Sequence, residues 1–329
     1  MLTPLRILFA CFLSACGVAL HADPAPEALA KLQSHVFKVI AERSSGTVQA
    51  GSAVLMAAGK LVTNCHVVTW AKSIQVVRNG ERWAARLIAA DNEHDLCILA
   101  ASDLPFNAQV KSAGPAQIGQ EVHAAGYPGG GDFAVNCGKV RALHDLNAAK
   151  VIQTNAKFNP GASGGGLFDN DGNLLGILTF RAPSGGDFHF VMPVVWVDEL
   201  LARVDAPSPF AKSNPSFYQR SQAQQPYFLQ AAAFEETRNW TGLLNVAQRW
   251  IDQAANNPES WMAVGKACIA LNKKDQAVSA FRHVLAIDSQ HGIGRDLLNS
   301  LEPAAACGTP DNPCASVEDF LAFAEPVLP

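Results

Sequence analysis

Residues 159–173 read Asn159-Pro-Gly-Ala-Ser163-Gly-Gly-Gly166-Leu-Phe-Asp-Asn-Asp-Gly172-Asn. A serine sits inside a run of glycines, and the residues on its C-terminal side discriminate between two folds. Gly161-Ala-Ser163-Gly-Gly165 formally matches a nucleophile elbow, in which a strand turns sharply into a helix. That elbow needs a helix directly after the serine. The residues after Ser163 are instead a strand–turn pattern, with Leu167-Phe168 running into Asp169-Asn-Asp-Gly172. The serine therefore belongs to a β-rich unit.

The same texture extends on both sides. Short β-like runs recur between glycines, prolines, asparagines and aspartates: Gly51-Ser-Ala-Val-Leu-Met, Lys60-Leu-Val-Thr, Ser73-Ile-Gln-Val-Val, Ala85-Arg-Leu-Ile-Ala, Leu96-Cys-Ile-Leu, Glu121-Val-His-Ala-Ala, Val151-Ile-Gln-Thr and Leu174-Leu-Gly-Ile-Leu-Thr-Phe. Turn signals at Asn79-Gly80, Tyr127-Pro-Gly, Asp171-Gly172 and Ser184-Gly-Gly separate them. Short, evenly spaced strands of this kind build an all-β sandwich or barrel, here over residues 36–204. A short helix is predicted at about Pro193–Arg203.

Residues 205–226 carry four prolines and four glutamines and read as a linker. A helical period takes over at residues 227–302. Pro258-Glu-Ser-Trp261 opens a 34-residue unit with Gly265, Ala277, Phe281, Leu285 and Asp288. Tyr227, Ala231, Leu243, Ala247 and Ile251 occupy comparable places one unit earlier. The pattern resembles the tetratricopeptide repeat, whose small residues allow close helix packing. Cys268 falls on an inner face, as a buried thiol. Residues 303–329 form a tail.

The chain has 329 residues, 49% apolar and 16% charged, a composition that excludes a largely disordered protein. The net charge is −4, with no basic excess to neutralise a phosphate backbone, which argues against a nucleic-acid partner. The longest apolar run, Ile7–Leu20, is too short for an ordinary membrane span. With its basic start it reads as an export signal, residues 1–22, followed by a spacer at residues 23–35. Cleavage after Ala22 is one reading. The other treats Leu13-Ser-Ala-Cys16 as a lipobox, with Cys16 lipidated as the sole membrane attachment. Both place the chain outside the cytoplasm, in an oxidising compartment. Among the remaining cysteines, Cys307 and Cys314 bracket turn residues and are spaced to close a small disulfide loop. Neither a Cys-x-x-Cys nor a His-Glu-x-x-His pattern is present, and nothing in the sequence calls for a metal or other cofactor.

Three segments carry chemistry together. Thr63-Asn-Cys-His66-Val-Val brings a histidine to the end of a strand. Asp95 directly precedes the strand Leu96-Cys-Ile-Leu. Ser163 stands in its glycine turn. A serine hydroxyl is a weak nucleophile without a base, and an imidazole titrates near neutrality. The imidazole in turn needs a carboxylate to fix its tautomer. A tetrahedral intermediate needs N–H donors, which the amides of Gly161 and Ser163 are placed to supply. The other histidines lack such partners: His94 reads as solvated and His189 as an outward strand position.

These motifs, with Gly126-Tyr-Pro, Gln153-Thr-Asn-Ala, Gly176-Ile and Val191-Met-Pro-Val, resemble trypsin-like serine proteases of the chymotrypsin fold, nearest the HtrA/Deg branch. The resemblance covers about half the chain. It implies two six-stranded β-barrels meeting near Ser112–Pro115, with the site in their cleft. It also implies His66 as base, Asp95 as its orienting carboxylate and Ser163 as nucleophile. In such a fold the strands holding Cys65 and Cys97 are neighbours, which allows a disulfide bracing the triad. The branch commonly has Asp at Asn155 and Asn at Ala162, and a PDZ domain where the helical repeats stand here. A specificity pocket is expected from Lys157, Phe158 and Asn159 and from Leu178, Thr179, Phe180 and Arg181, with Phe188 and Phe190 nearby. It holds no acidic group to select a basic side chain.

The reading is an exported serine endopeptidase of the bacterial periplasm or envelope, acting on proteins or peptides. Its repeats would bind a partner or substrate. The alternative is a repeat-based interaction protein whose protease module is weakly active or regulated.

Overall fold

The computed structural model describes residues 26–106, 109–182, 188–204 and 215–302. The export signal with Cys16, residues 205–214 of the linker and the tail with Cys307 and Cys314 lie outside the described residues.

Twelve strands are described: β1 (Val36–Arg43), β2 (Val48–Ala57), β3 (Lys60–Asn64), β4 (Ala71–Arg78), β5 (Glu81–Asp91), β6 (Leu96–Ala100), β7 (Glu121–Gly126), β8 (Ala134–Leu146), β9 (Ala149–Thr154), β10 (Gly166–Phe168), β11 (Leu174–Arg181) and β12 (His189–Pro193). They close into two six-stranded barrels, β1-β2-β3-β6-β5-β4 and β10-β11-β12-β9-β8-β7. All strand pairs within the barrels are antiparallel. The expected double barrel is thus present, and closure leaves neither sheet an open edge. The two barrels are joined between β6 and β7, across the predicted boundary at Ser112–Pro115.

Each barrel has its own interior. Phe37, Leu55, Leu61, Val76 and Leu99 fill the first. Val122, Val140, Ile152, Leu167, Leu178 and Val191 fill the second. β12 is buried at every position. Its inward residues face the barrel, and its outward residues are covered by helices, which explains a continuous apolar run where a one-sided strand would alternate.

The helices are α1 (Pro26–His35), α2 (Cys65–Val68), α3 (Val194–Ala202), α4 (Tyr227–Glu236), α5 (Trp240–Gln253), α6 (Pro258–Ala270), α7 (Lys274–Ile287) and α8 (Gly292–Leu301). α3 matches its sequence expectation. α1 occupies most of the stretch read as a spacer and buries Leu32. In α6 and α7, Gly265 lies against Phe281: an added Cβ would come within 2.4 Å of that ring. Ala277, Phe281 and Cys268 are fully buried in the helical region.

The linker departs from expectation. Phe217–Gln219 and Gln222–Gln224 form short 3-10 turns. Phe217 is buried in one apolar cluster with Phe190 and Met192 of β12, Trp196 of α3, and Phe228, Leu243 and Trp250 of α4 and α5. The helices therefore pack on the second barrel. Proline and glutamine content signalled an irregular backbone, and the aromatic pair Phe217-Tyr218 within it is what docks.

Candidate active site

Each residue of the His66, Asp95, Ser163 constellation comes from a different connection. β3 runs straight into the one-turn helix α2, which carries His66. Asp95 stands just before β6, at φ +58°. Ser163 lies in the loop between β9 and β10.

The first two residues form a doubly bonded pair. His66 Nδ1 lies 2.6 Å from Asp95 Oδ2, and the His66 amide donates to Asp95 Oδ1 at 2.8 Å. One carboxylate thus holds both the ring and the backbone of the same residue. Asp95 is 3% exposed, while the His66 side chain is 29% exposed. The Asp95 carbonyl accepts from the Cys65 amide and from Asn64 Nδ2. Cys65 and Cys97 are joined in a disulfide that ties α2 to β6.

Thr179 links this pair to the serine. Asn64 Nδ2 donates to Thr179 Oγ1 at 3.1 Å, and Ser163 Oγ donates to the Thr179 carbonyl at 3.3 Å. The serine loop is fixed to the first barrel by Ser52, which is fully buried. Its amide donates to the Ser163 carbonyl, its hydroxyl donates to the Gly161 carbonyl, and the hydroxyl accepts from the Tyr127 amide. Within the turn, the Ala162, Gly164 and Gly165 amides donate to Asn159, Leu178 and Ala162 carbonyls. Among the described residues, no protein acceptor faces the amides of Gly161 and Ser163, the pair expected to bind an oxyanion.

The expected specificity residues divide. Lys157 and Asn159 are exposed, so the Lys157 ammonium is not buried. Phe158 and Leu178 lie in the interior of the second barrel with Ala162. Thr179 makes the bonds above. Arg181 is half-buried and pairs in register with His189. Phe180 is sandwiched between Phe190 at 4.8 Å and Tyr218 at 4.1 Å.

Two histidine assignments need correction. His189 is 2% exposed, edge-on to Phe158 at 4.8 Å, because β12 has no solvent face. His94 pairs with Asp91 at 2.7 Å and stacks on Trp196 at 3.7 Å. Burial raises the Asp91 carboxyl, but the His94 hydrogen bonds, with the charges of His94 and Arg203, together outweigh it and hold it below the usual carboxylate range.

Sequence reasoning missed Tyr218. Its hydroxyl donates to Asp95 Oδ2 at 2.6 Å and lies 3.4 Å from His66 Nδ1. Burial first, then the Asp95 charge and hydrogen bond, push the phenol far above its ordinary range. It also missed Trp70, which is 76% exposed and lines, with Arg43, His66, Asp95 and Ser216, a cleft of 360 Å³. A larger cavity of 640 Å³ borders Lys38, Arg78 and Tyr127, and none of His66, Asp95 and Ser163 lines it.

Residues 51–177 match the trypsin-like peptidase domain family. The serine protease Rv3671c of Mycobacterium tuberculosis is 29% identical over 170 residues, 48% of this chain and 43% of the relative. A probable periplasmic DegP-like serine endoprotease of Marinomonas is 39% identical over 137 residues, 40% of this chain and 29% of the relative. The chain therefore spans less than half the length of these curated relatives. Among solved structures, the active form of the Mycobacterium tuberculosis Rv3671c protease superposes with a TM-score of 0.52 at 26% identity, covering 62% of this chain and 97% of that one. A serine endoprotease of Yersinia pestis gives 0.50 at 28% identity, covering 54% and 65%.

Proposed function

We propose that this chain, which carries a trypsin-like peptidase domain, is an exported serine endopeptidase that works through an acyl-enzyme on Ser163. The observation that carries the reading is the pairing of His66 with a buried Asp95 through both ring and backbone, joined to Ser163 through Thr179.

Ser163 Oγ turns from the Thr179 carbonyl to His66 Nε2 and gives up its proton there as it attacks the scissile carbonyl carbon. Asp95 accepts from Nδ1 and stabilises the imidazolium. The oxygen that becomes negative binds the amides of Gly161 and Ser163, supported by their having no protein acceptor among the described residues. The C–N bond then breaks, and His66 protonates the departing amine. Water repeats the sequence on the ester, freeing the acid and restoring the serine.

The peptide side chain before the cut is apolar and of small or medium size. No carboxylate stands among the expected pocket residues to compensate a buried cation, which disfavours a basic side chain there. Export to the periplasm or envelope follows from residues 1–22, by either signal peptidase route. The α4–α7 helices act as tetratricopeptide-like repeats that recruit a protein partner or substrate, supported by the Gly265–Phe281 contact. The alternative, an interaction protein with a regulated protease module, differs in how active the isolated site is.

Fluorophosphonate labelling of the purified mature protein, followed by peptide mapping, tests the reading. The label is expected on Ser163, and Ser163→Ala and His66→Ala each cost on the order of 10⁶ in kcat on casein. Labelling elsewhere, or casein hydrolysis that survives Ser163→Ala, would overturn it. A peptide-library profile dominated by cuts after Lys or Arg would overturn the side-chain preference alone.

A further inference from the structure

We propose that Tyr218, contributed by the segment between the barrels and the helices, is a positioning residue for the His66–Asp95 pair. The inference rests on the endopeptidase reading above.

Asp95 Oδ1 is taken by the His66 amide. Oδ2 receives two groups, the His66 ring at Nδ1 and the Tyr218 hydroxyl, each at 2.6 Å. Among the described residues the barrels supply no other donor to that oxygen. The nearby Asn64 side chain and Cys65 amide both go to the Asp95 main-chain carbonyl. Without Tyr218, one lone pair of a carboxylate that is 3% exposed would lack a protein partner.

The phenol can act only as a donor there. Burial, then the Asp95 charge and hydrogen bond, keep it protonated, so its hydroxyl is the donor to Oδ2. Oδ2 is thereby held as an acceptor, so the imidazole must present an N–H at Nδ1. Nε2 is left with its lone pair, the tautomer a general base needs.

The hydroxyl is held in place from several directions. The Tyr218 ring lies flat on Phe180 at 4.1 Å and 11°, and Phe180 lies flat on Phe190 at 4.8 Å. The backbone is tied on both sides: the Phe217 amide donates to the Glu93 carbonyl, Arg220 pairs with the Glu93 carboxylate, and Gln225 Nε2 donates to the Tyr218 carbonyl at 2.7 Å. Ser216 and Gln219 close a capping box around the turn. A residue without a function at its hydroxyl would not need this scaffold, since Phe would stack equally well.

Residues 215–226, the described part of the segment, make no described bond to Ser163. Their contacts are on the Asp95 and Nδ1 side of the imidazole. The described bonds of Ser163 Oγ involve Thr179 and not residues 215–226, and the His66 side chain stays 29% exposed. The described contacts to Asp95 and His66 are those of a support.

Tyr218→Phe keeps the stack and removes only the hydroxyl. In the full-length protein its kcat on a short peptide ester should fall about 10- to 150-fold, the value of one hydrogen bond to a charged group. KM should stay near that of the parent, and the thermal midpoint should fall modestly, because a buried carboxylate oxygen loses a donor. The acid limb of the kcat/KM profile should move to higher pH, because the carboxylate then has more charge left to stabilise an imidazolium. The other charged groups on this face, Arg43, Asp91 and the Glu93–Arg220 pair, are unchanged by the substitution. Tyr218→Ala should add a loss of stability, and if it fails to fold, Tyr218→Phe still decides. A Tyr218→Phe protein with the parent kcat and the parent pH profile would overturn this inference and leave the endopeptidase reading intact. A parent protein that does not label at Ser163 would overturn both.

Discussion

Gly161 is held at φ +95°, a left-handed conformation that side chains resist. A Cβ there would come within 2.6 Å of the Gly129 amide and 2.8 Å of the Tyr127 carbonyl, both rigid backbone. Gly161→Ala must therefore move the serine turn, and with it the amide proposed to bind the oxyanion. Losing one such donor costs about 10²–10³ in kcat. We expect a loss of that size in kcat/KM with labelling slowed in proportion, measured against a thermal midpoint that drops only modestly. Full activity in Gly161→Ala would show that the oxyanion site lies elsewhere. The His66–Asp95 pair was legible because each residue sits in a short local motif whose chemistry is tied to residue type. Tyr218 was not. It meets Asp95 across 123 positions, from a stretch whose prolines and glutamines read as linker. His189 misled for a related reason, since alternation predicts an outward side chain only when one face of the strand meets solvent.

At the scale of elements, α2 is the least self-sufficient. Four residues make one turn, too short to persist without tertiary support. What holds it is external: the Cys65–Cys97 disulfide to β6, the His66 amide on Asp95, and the Thr69 hydroxyl closing back on the Cys65 carbonyl at 2.6 Å. Opening the disulfide frees a loop of 32 residues that contains both β4 and β5. The Cys65→Ala/Cys97→Ala protein should unfold about 2–4 kcal/mol more easily in denaturant. Its kcat should fall while short-peptide KM changes little, because the histidine rather than the substrate site has lost its anchor. Unchanged stability would mean that the β3–β6 ladder alone fixes α2. The strands were legible from period and turn chemistry. The disulfide was legible only through resemblance, because cysteines 32 positions apart do not declare their pairing.

The whole molecule is less modular than its sequence. A Pro-, Ser- and Gln-rich boundary predicts a protease unit that stands without residues 227–329. Instead, one apolar cluster runs from Phe190 and Met192 of β12 through Phe217 to Phe228, Leu243, Val246 and Trp250 of the helices. His144 of β8 lies flat on Phe228 at 4.4 Å and is 5% exposed. Burial there pushes its pKa below the ordinary histidine value, so it is carried as a neutral ring inside an apolar joint. Removing residues 227–329 would strip Phe228 from Phe190, Phe217 and His144, at a cost of up to about 1.5–3 kcal/mol for each phenylalanine it uncovers. Set against a domain stability of about 5–15 kcal/mol, that is a large fraction. It would also delete Gln230, whose side chain holds the Gln225 carbonyl at 2.8 Å, while Gln225 holds that of Tyr218. The truncated chain should therefore show a lower thermal midpoint or poor solubility. Whatever folds should hydrolyse even a short peptide more slowly, because the Tyr218 support has loosened. Restoring α4 and α5 alone should recover most of both losses, since they carry Phe228, Leu243 and Trp250, whereas α7 and α8 lie farther along the stack. A soluble truncation with the parent midpoint and the parent kcat would mean that the joint is only surface packing, and that the barrels fold and work without it.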